Sequence, residues 1–350
     1  MARVAINGLG RIGRAVFKLV RENPELDLVA VNDLVPPDNL AYLLRNDSVY
    51  GRYPFEVTGT SEALRIDGEE YRVLAEPDPA QLPWEDLGID LVFECTGRFP
   101  TREDLEKHVA AAGARCVILS QPPKGEGVPV AVHGVNRLEG KPAILSTASC
   151  TSNAIIPIAE MMARRLGVEK ATMTTVHAYT AGQSIVDAPK PKEYRRGRAG
   201  GVNLVPASTG AAKATSKVLP EYEGRFDGMA VRAPVPVGSI ADLVFVTSRE
   251  TDAGEVNRVL GEEAGTTRYD GIVGVSTDEM VSSDIIGDPR ASVVDALSTQ
   301  VVGGDLVKVM SWYDNEWGYG AQMVREAARM SREDLIPERG LEPAGAGAYR

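Results

Sequence analysis

Residues 2–7 (ARVAIN) form a short apolar run closed by glycine, which predicts a strand buried on both faces. From Arg11 to Arg21 the apolar residues Ile12, Ala15, Val16, Leu19 and Val20 recur on one helical stripe. LDLVAVND (26–33) predicts a second strand and completes a β-α-β unit. Apolar runs at 89–95, 115–119 and 143–146, with a helical pattern at 102–112, continue the alternation. Strands alternating with helices predict a parallel sheet covered by helices on both faces.

The texture changes near residue 150. A helix over roughly 151–166 carries the stripe Ile155, Ile158, Met162 and Leu166, with Pro157 expected to interrupt its ladder. Strand patterns follow at 171–177, 229–235, 240–248 and 305–313 without a helix between each pair, which predicts a largely antiparallel sheet. Residues 180–206, rich in Gly, Pro and Arg, read as a long ordered loop, and such loops are usually functional. An amphipathic helix is expected at 319–332. The expected fold class is α/β: a doubly wound domain from 1–149 with 318–335, an α+β domain from 150–317, and a frayed tail at 336–350.

Composition narrows the class. The 350 residues are 43% hydrophobic and 25% charged, with a net charge of −11, as in a folded soluble protein with no general affinity for nucleic acid or anionic membrane. No apolar run approaches the ~20 residues that span a bilayer. The N-terminus enters a strand pattern at once, so no signal peptide is expected and the expected location is cytoplasmic. Cys95, Cys116 and Cys150 are widely spaced and show neither metal-ligand nor disulfide spacing.

Gly8-Leu9-Gly10-Arg11-Ile12-Gly13 lies between a strand and a helix. Alone, this pattern means only a tight turn. In this context the glycines let the backbone approach a pyrophosphate, and the helix N-terminus offers free N–H groups to it. Asp33 follows about 20 residues later, where a carboxylate accepts from a ribose and repels a 2′-phosphate, so NAD is expected over NADP. The first domain is therefore expected to be of Rossmann type.

Cys150 falls at a helix start, where the dipole and free N–H groups are expected to lower its thiol pKa; Cys95 and Cys116, inside strand patterns, read as small core residues. Of the three histidines, His108 reads as a surface residue of helix 102–112 and His133 as lacking polar company. His177 ends a strand at the rim of the long loop, where catalytic groups are displayed. Spacing alone does not decide that it partners Cys150.

INGLGRIGR, ECTGRF, STASCTSN, TTVHAYTAGQ, VPASTGAAKA and SWYDNEWGY resemble, in order, the motifs of the glyceraldehyde-3-phosphate dehydrogenase family, over about residues 3–332. The resemblance implies a homotetrameric NAD-dependent enzyme acting on small phosphorylated substrates, with no metal. In it Cys150 attacks an aldehyde and His177 is its acid–base partner. It implies a site for attacking phosphate at Ser149, Thr151, Thr209 and Gly210, and one for the substrate's own phosphate at Thr180 and Arg232. Arg195, in the basic run of the long loop, is the candidate there for a pocket role. For the cofactor it implies Asn7, Gly8, Gly10, Arg11, Ile12, Asp33, Gly97 and Ser120, with Asn315 and Tyr319 at the nicotinamide end. Leu34 and Pro189 match positions that leave no room for an extra phosphate. Ala154, Pro77, Gly182 and Gln121 depart from the usual pattern. Alternatives are an erythrose-4-phosphate dehydrogenase, against which ASTGAA (207–212) counts; an aspartate-semialdehyde dehydrogenase, which leaves SWYDNEWGY unexplained; and a non-catalytic NAD-binding regulator, which needs no reactive Cys150.

Overall fold

The computed structural model describes residues 1–338. The chain divides into two compact units: Met1–His133, Arg137–Ala148 and the described residues from Gly320 onward form the first, and Gly134–Asn136 with Ser149–Tyr319 form the second.

The first unit is built on eight strands in the order Ile144–Ser146, Cys116–Leu119, Leu91–Glu94, Ala2–Asn7, Leu26–Asn32, Glu69–Leu74, Ala63–Ile66 and Val57–Gly59. The first six run parallel. Their near-continuous apolar character follows from burial on both faces: every residue of Leu91–Glu94 and Cys116–Leu119 is buried. The last two strands are an antiparallel addition that the hydrophobic pattern did not reveal. Asp67 and Gly68, both at positive φ (55° and 87°), make the tight hairpin that starts it.

Helix Arg11–Arg21 receives helix Trp317–Arg332 at Gly320, where a Cβ would stand 3.3 Å from Leu19 Cδ1 and 3.5 Å from Ala15 Cβ. The expected helix 102–112 is in two parts. A capping box of Thr101 and Asp104 starts Arg102–Glu106, and a π-helical turn follows over Lys107–Ala111, closed by Ala112 N donating to Lys107 O. The widened turn accompanies His108 pointing into the core instead of to solvent, contrary to expectation. The expected frayed tail also begins differently: Ile336 is buried, and Arg115 Nε donates to Pro337 O at 2.5 Å. The remainder, 339–350, lies outside the described residues.

The second unit holds seven strands in the order Val205–Ser208, Phe226–Ala233, Val168–Ala178, Ser239–Thr247, Leu306–Tyr313, Ser292–Val302 and Val273–Ser276. Pairing is antiparallel except between Val168–Ala178 and Phe226–Ala233 and between Val273–Ser276 and Ser292–Val302. Helix Cys150–Leu166 runs through Pro157 without ending, held by an almost wholly buried surface. Within the 180–206 segment, Ala188 N donates to Gly197 O and Gly200 N to Ser184 O, both at 2.8 Å, so the long loop is tied to itself.

Candidate active site

In the second unit, Ser149 is the N-cap of helix Cys150–Leu166. Its Oγ accepts from Ser152 N at 3.1 Å, while its carbonyl accepts from Asn153 Nδ2 at 2.9 Å. Cys150 is thereby fixed as the first helical residue and remains partly exposed. Its Sγ lies 3.3 Å from His177 Nε2. Parallel pairing sets His177 beside Arg232, and Arg232 NH1 reaches His177 Nδ1 at 2.6 Å and Ala178 O at 3.0 Å. His177 Nδ1 is also 2.7 Å from Ala178 O.

The contacts at Nδ1 of His177 compete. Ala178 O accepts a proton carried on Nδ1, the form that leaves the Nε2 lone pair facing the thiol as a base, but Arg232 can only donate and then stands opposed at 2.6 Å. A proton on Nε2, the form of an acid, leaves Nδ1 to accept from Arg232 with Ala178 O opposed at 2.7 Å.

Burial, with the Arg232 charge next, drives the imidazole pKa down to about 3. Burial also pushes the Cys150 thiol up, against the pull of the Arg232 charge and of Thr151 and backbone N–H groups. The expected lowering of the thiol pKa is thus corrected: loss of solvent outweighs the helix start, and the resting pair is a neutral thiol and a neutral imidazole.

Tyr313 and Ser239 complete the setting, and neither was picked out from the sequence. Tyr313 OH is 3.0 Å from Thr151 Oγ1 and 2.7 Å from Thr175 Oγ1, and its ring meets His177 edge-on at 5.9 Å. Ser239 Oγ accepts from Ala178 N and donates to Asn315 Oδ1 at 3.0 Å, which sets the orientation of that carboxamide. Asn315 and Tyr319 are both buried. The SWYDN motif pointed to this strand end, but only its register, Ser239 opposite Tyr313, shows which side chains converge.

Thr180 and Gly210 are exposed. Thr209 Oγ1 accepts from Ala211 N, and Gly210 precedes helix Ala211–Val218 with no side-chain cap. Arg195 is exposed, whereas its neighbour Arg196 is half-buried and its charge acts on both His177 and Arg232. The loop therefore presents Arg196, one position along, as the arginine nearest the chemistry.

In the first unit the glycine turn is tight and closely packed. Gly8 (φ 93°) sits where a Cβ would be 2.8 Å from Thr96 N, and a Cβ on Gly13 would lie 1.9 Å from Gly8 O. Nothing lies within 4 Å of a Cβ on Gly10, which starts helix Arg11–Arg21 without a side-chain cap. That open backbone at a helix start fits a diphosphate. Asp33 accepts from Leu9 N at 2.7 Å and Val35 N at 3.0 Å, so the acid is fixed against the turn. Arg11 NH1 pairs with Asp47 at 2.6 Å, which ties its guanidinium to the protein. Gly97 (φ 70°) is exposed, and Ser120 is half-buried beside Cys95.

Asn7 is buried beneath this turn and committed to protein partners. Its Nδ2 donates to Glu94 Oε2 at 2.6 Å, and its Oδ1 accepts from Asn32 Nδ2 at 2.7 Å. Glu94 is a hub. It accepts from Thr96 N at 2.8 Å, from Thr96 Oγ1, from Asn7, and from His108 Nε2 at 3.1 Å. Trp84 Nε1 donates to His108 Nδ1 at 3.1 Å. Since an indole N–H only donates, Nδ1 must accept, and the His108 proton sits on Nε2 facing the carboxylate. His133 also has company, contrary to expectation: its Nδ1 is 2.8 Å from Glu326 Oε2. Both histidines take carboxylate partners from other elements, which their own stretches of sequence do not reveal. Among the described residues no cluster of His, Cys, Asp or Glu suits a metal ion.

Comparison with known proteins agrees with this geometry. Residues 2–102 match the family model described as glyceraldehyde 3-phosphate dehydrogenase, NAD binding domain, and residues 149–315 match that of the C-terminal domain. The chain is 49% identical over 328 residues to a glyceraldehyde-3-phosphate dehydrogenase of Thermotoga maritima, covering 93% of this chain and 97% of that one. It is 45% identical over 336 residues to that of Geobacillus stearothermophilus (95% and 99% covered). Identity to that of Streptomyces coelicolor is 45% over 326 residues (92% and 96% covered). With both halves matched and the Cys150–His177 pair in place, the chain belongs to the glyceraldehyde-3-phosphate dehydrogenase family.

Proposed function

We propose that this protein oxidises D-glyceraldehyde 3-phosphate to 1,3-bisphosphoglycerate, with NAD and inorganic phosphate as co-substrates. The observation that carries the reading is the 3.3 Å approach of Cys150 Sγ to His177 Nε2 with Arg232 on the far side of the imidazole. Starting from the neutral pair, His177 takes the thiol proton as sulfur attacks the aldehyde carbon and forms a hemithioacetal. The Cys150 N–H at the helix start is the donor suited to the oxyanion. Bound NAD supplies the hydride acceptor. The thioester left on Cys150 is then attacked by phosphate, and the leaving sulfur takes its proton back from His177.

Ser149, Thr151, Thr209 and Gly210 are assigned to the attacking phosphate, and Thr180 and Arg232 to the substrate's own; hydroxyls, N–H groups and a guanidinium all suit phosphate oxygens. Arg196 supports this assignment with a second positive charge. Residues 1–149 with 318–335 are assigned to nucleotide binding and 150–317 to the chemistry, with Ser120, Asn315 and Tyr319 serving the nicotinamide half.

The same proposal includes a homotetramer and a cytoplasmic location. The loop bears exposed Ile185 (90%), Val186, Tyr194 (81%), Val202 and Leu204, an apolar surface suited to a neighbouring subunit. Among the described residues, no helix is long and apolar enough to cross a membrane.

The test is the initial rate of NADH formation from glyceraldehyde 3-phosphate with and without inorganic phosphate. Phosphate-dependent turnover is expected. Turnover on erythrose 4-phosphate alone, or a rate indifferent to phosphate, would overturn the assignment.

A further inference from the structure

Ser239 opens strand Ser239–Thr247 in the second unit, is wholly buried, and has no step in the mechanism above. Its place is fixed by the residue before it: a Cβ on Gly238 (φ 92°) would stand 2.1 Å from Ser282 O. Among the described residues its hydroxyl has two partners, Ala178 N at 3.1 Å and Asn315 Oδ1 at 3.0 Å. A backbone N–H only donates, so the hydroxyl proton is left for Asn315, and the oxygen of that carboxamide must face it. Turned the other way, the amide would leave a buried hydroxyl proton with no acceptor. The opposite end of Asn315 is different. The residue is only 4% exposed, yet its Nδ2 stays open to solvent and makes no hydrogen bond among the described residues.

A carboxamide with its oxygen locked from behind and its NH₂ unmet but reachable is a donor held ready for a ligand. We propose that Ser239 is a positioning residue, whose hydroxyl locks Asn315 so that Nδ2 donates to the carboxamide oxygen of the nicotinamide of bound NAD. The same hydroxyl steadies the proton-handling side. Ala178, whose N–H it takes, has its carbonyl 2.7 Å from His177 Nδ1 and 3.0 Å from Arg232 NH1. One buried oxygen therefore ties the strand end that carries His177 to the amide that orients the cofactor. The proposal rests on the NAD reading, in which Asn315 serves the nicotinamide half.

The experiment is calorimetric titration with NAD, and separately with AMP, of the full-length wild type, Ser239→Ala, Ser239→Cys, Asn315→Ala and the double variant Ser239→Ala/Asn315→Ala. Cysteine keeps the shape and gives up most of the hydrogen bond, so a cavity is not the cause of a change it shares with alanine. Expected in both Ser239 variants are a weakening of NAD binding by about threefold to tenfold and unchanged AMP binding. The double variant should bind NAD no more weakly than Asn315→Ala, because the hydroxyl reaches the cofactor only through that amide. Unchanged NAD affinity in the Ser239 variants would overturn the proposal, even with a lowered melting temperature, since the role would then be structural only. So would losses that multiply in the double variant, or equal weakening of AMP and NAD, which would mean a distorted cleft. If the wild type fails to bind NAD at all, it is the cofactor reading that falls.

Discussion

Glu94→Gln changes one atom at the hub beneath the nucleotide turn and leaves its shape alone. Glu94 is fully buried and acts only as an acceptor, from Thr96 N and Oγ1 on one oxygen and from Asn7 and His108 on the other. An amide must turn its NH₂ toward one of those pairs. Facing Asn7 and His108, it confronts two donors, and His108 cannot relieve the clash by moving its proton, because Trp84 Nε1–H already requires Nδ1 as acceptor. Facing Thr96, it confronts the backbone N–H; the hydroxyl can rotate but the amide cannot. At least one charge-assisted hydrogen bond is lost and one donor left unmet, at roughly 1.5–3 kcal/mol each. The amide is cheaper to bury than the carboxylate, which brings the net to about 2–4 kcal/mol. For a unit of this size that is a fall in melting temperature of roughly 4–16 °C. Differential scanning calorimetry of the cofactor-free protein reads it directly, and NAD affinity should fall too, since Asn7 and Thr96 lose their common anchor. A melting temperature within about 1 °C of wild type would refute the hydrogen-bond assignment on which this rests.

Two further outcomes follow from the second unit. Alkylation of Cys150 by iodoacetamide reports its thiolate. With the thiol pKa raised, the thiolate fraction at neutral pH is smaller than for a free cysteine, so the rate should climb into the alkaline range, with no step near 6.5 because His177 stays neutral down to about 3. Arg232→Gln removes a charge that favours the anion and should move the midpoint up by about one unit, slowing alkylation at pH 7 about tenfold; a midpoint that moves down contradicts the electrostatics. Tyr313→Phe removes the hydroxyl that links Thr151 and Thr175, at a cost of about 1–3 kcal/mol, and should lower kcat more than it raises KM, whereas steady-state constants and melting temperature both matching wild type would show that the hydroxyl holds nothing. Slow alkylation of the resting protein therefore does not by itself separate an enzyme from a regulator, since burial alone produces it.

What could be read from the sequence was what neighbouring residues decide. The glycine turn, Asp33 and the helix start at Cys150 are each specified within a few positions, and each occupies its expected place. The Asp67-Gly68 hairpin is equally local, a turn signal between alternating runs. Strand Ser292–Val302 was harder, since a register shift between Asp295 and Gln300 breaks its alternation. What could not be read was decided at a distance. His108 and His133 owe their burial and charge environment to Glu94 and Glu326, on other elements. Arg232 lies 55 positions from His177, and no spacing rule links them. The pattern around residue 195 offers three arginines, and only the fold half-buries the middle one and brings its charge to bear on His177.

The juxtaposition of His177 and Arg232 is written into the hydrogen-bond ladder of two neighbouring strands rather than into a loop. A ladder is discrete: it can be right, or wrong by a whole residue, and a slip of one in either strand would send its side chain to the opposite face from its partner's. Single-residue insertions or deletions in Val168–Ala178 or Phe226–Ala233 should therefore silence the protein outright, while comparable edits in the exposed stretches of the 180–206 loop grade its activity. The reacting centre has in effect been digitised, and its reliability is that of a count.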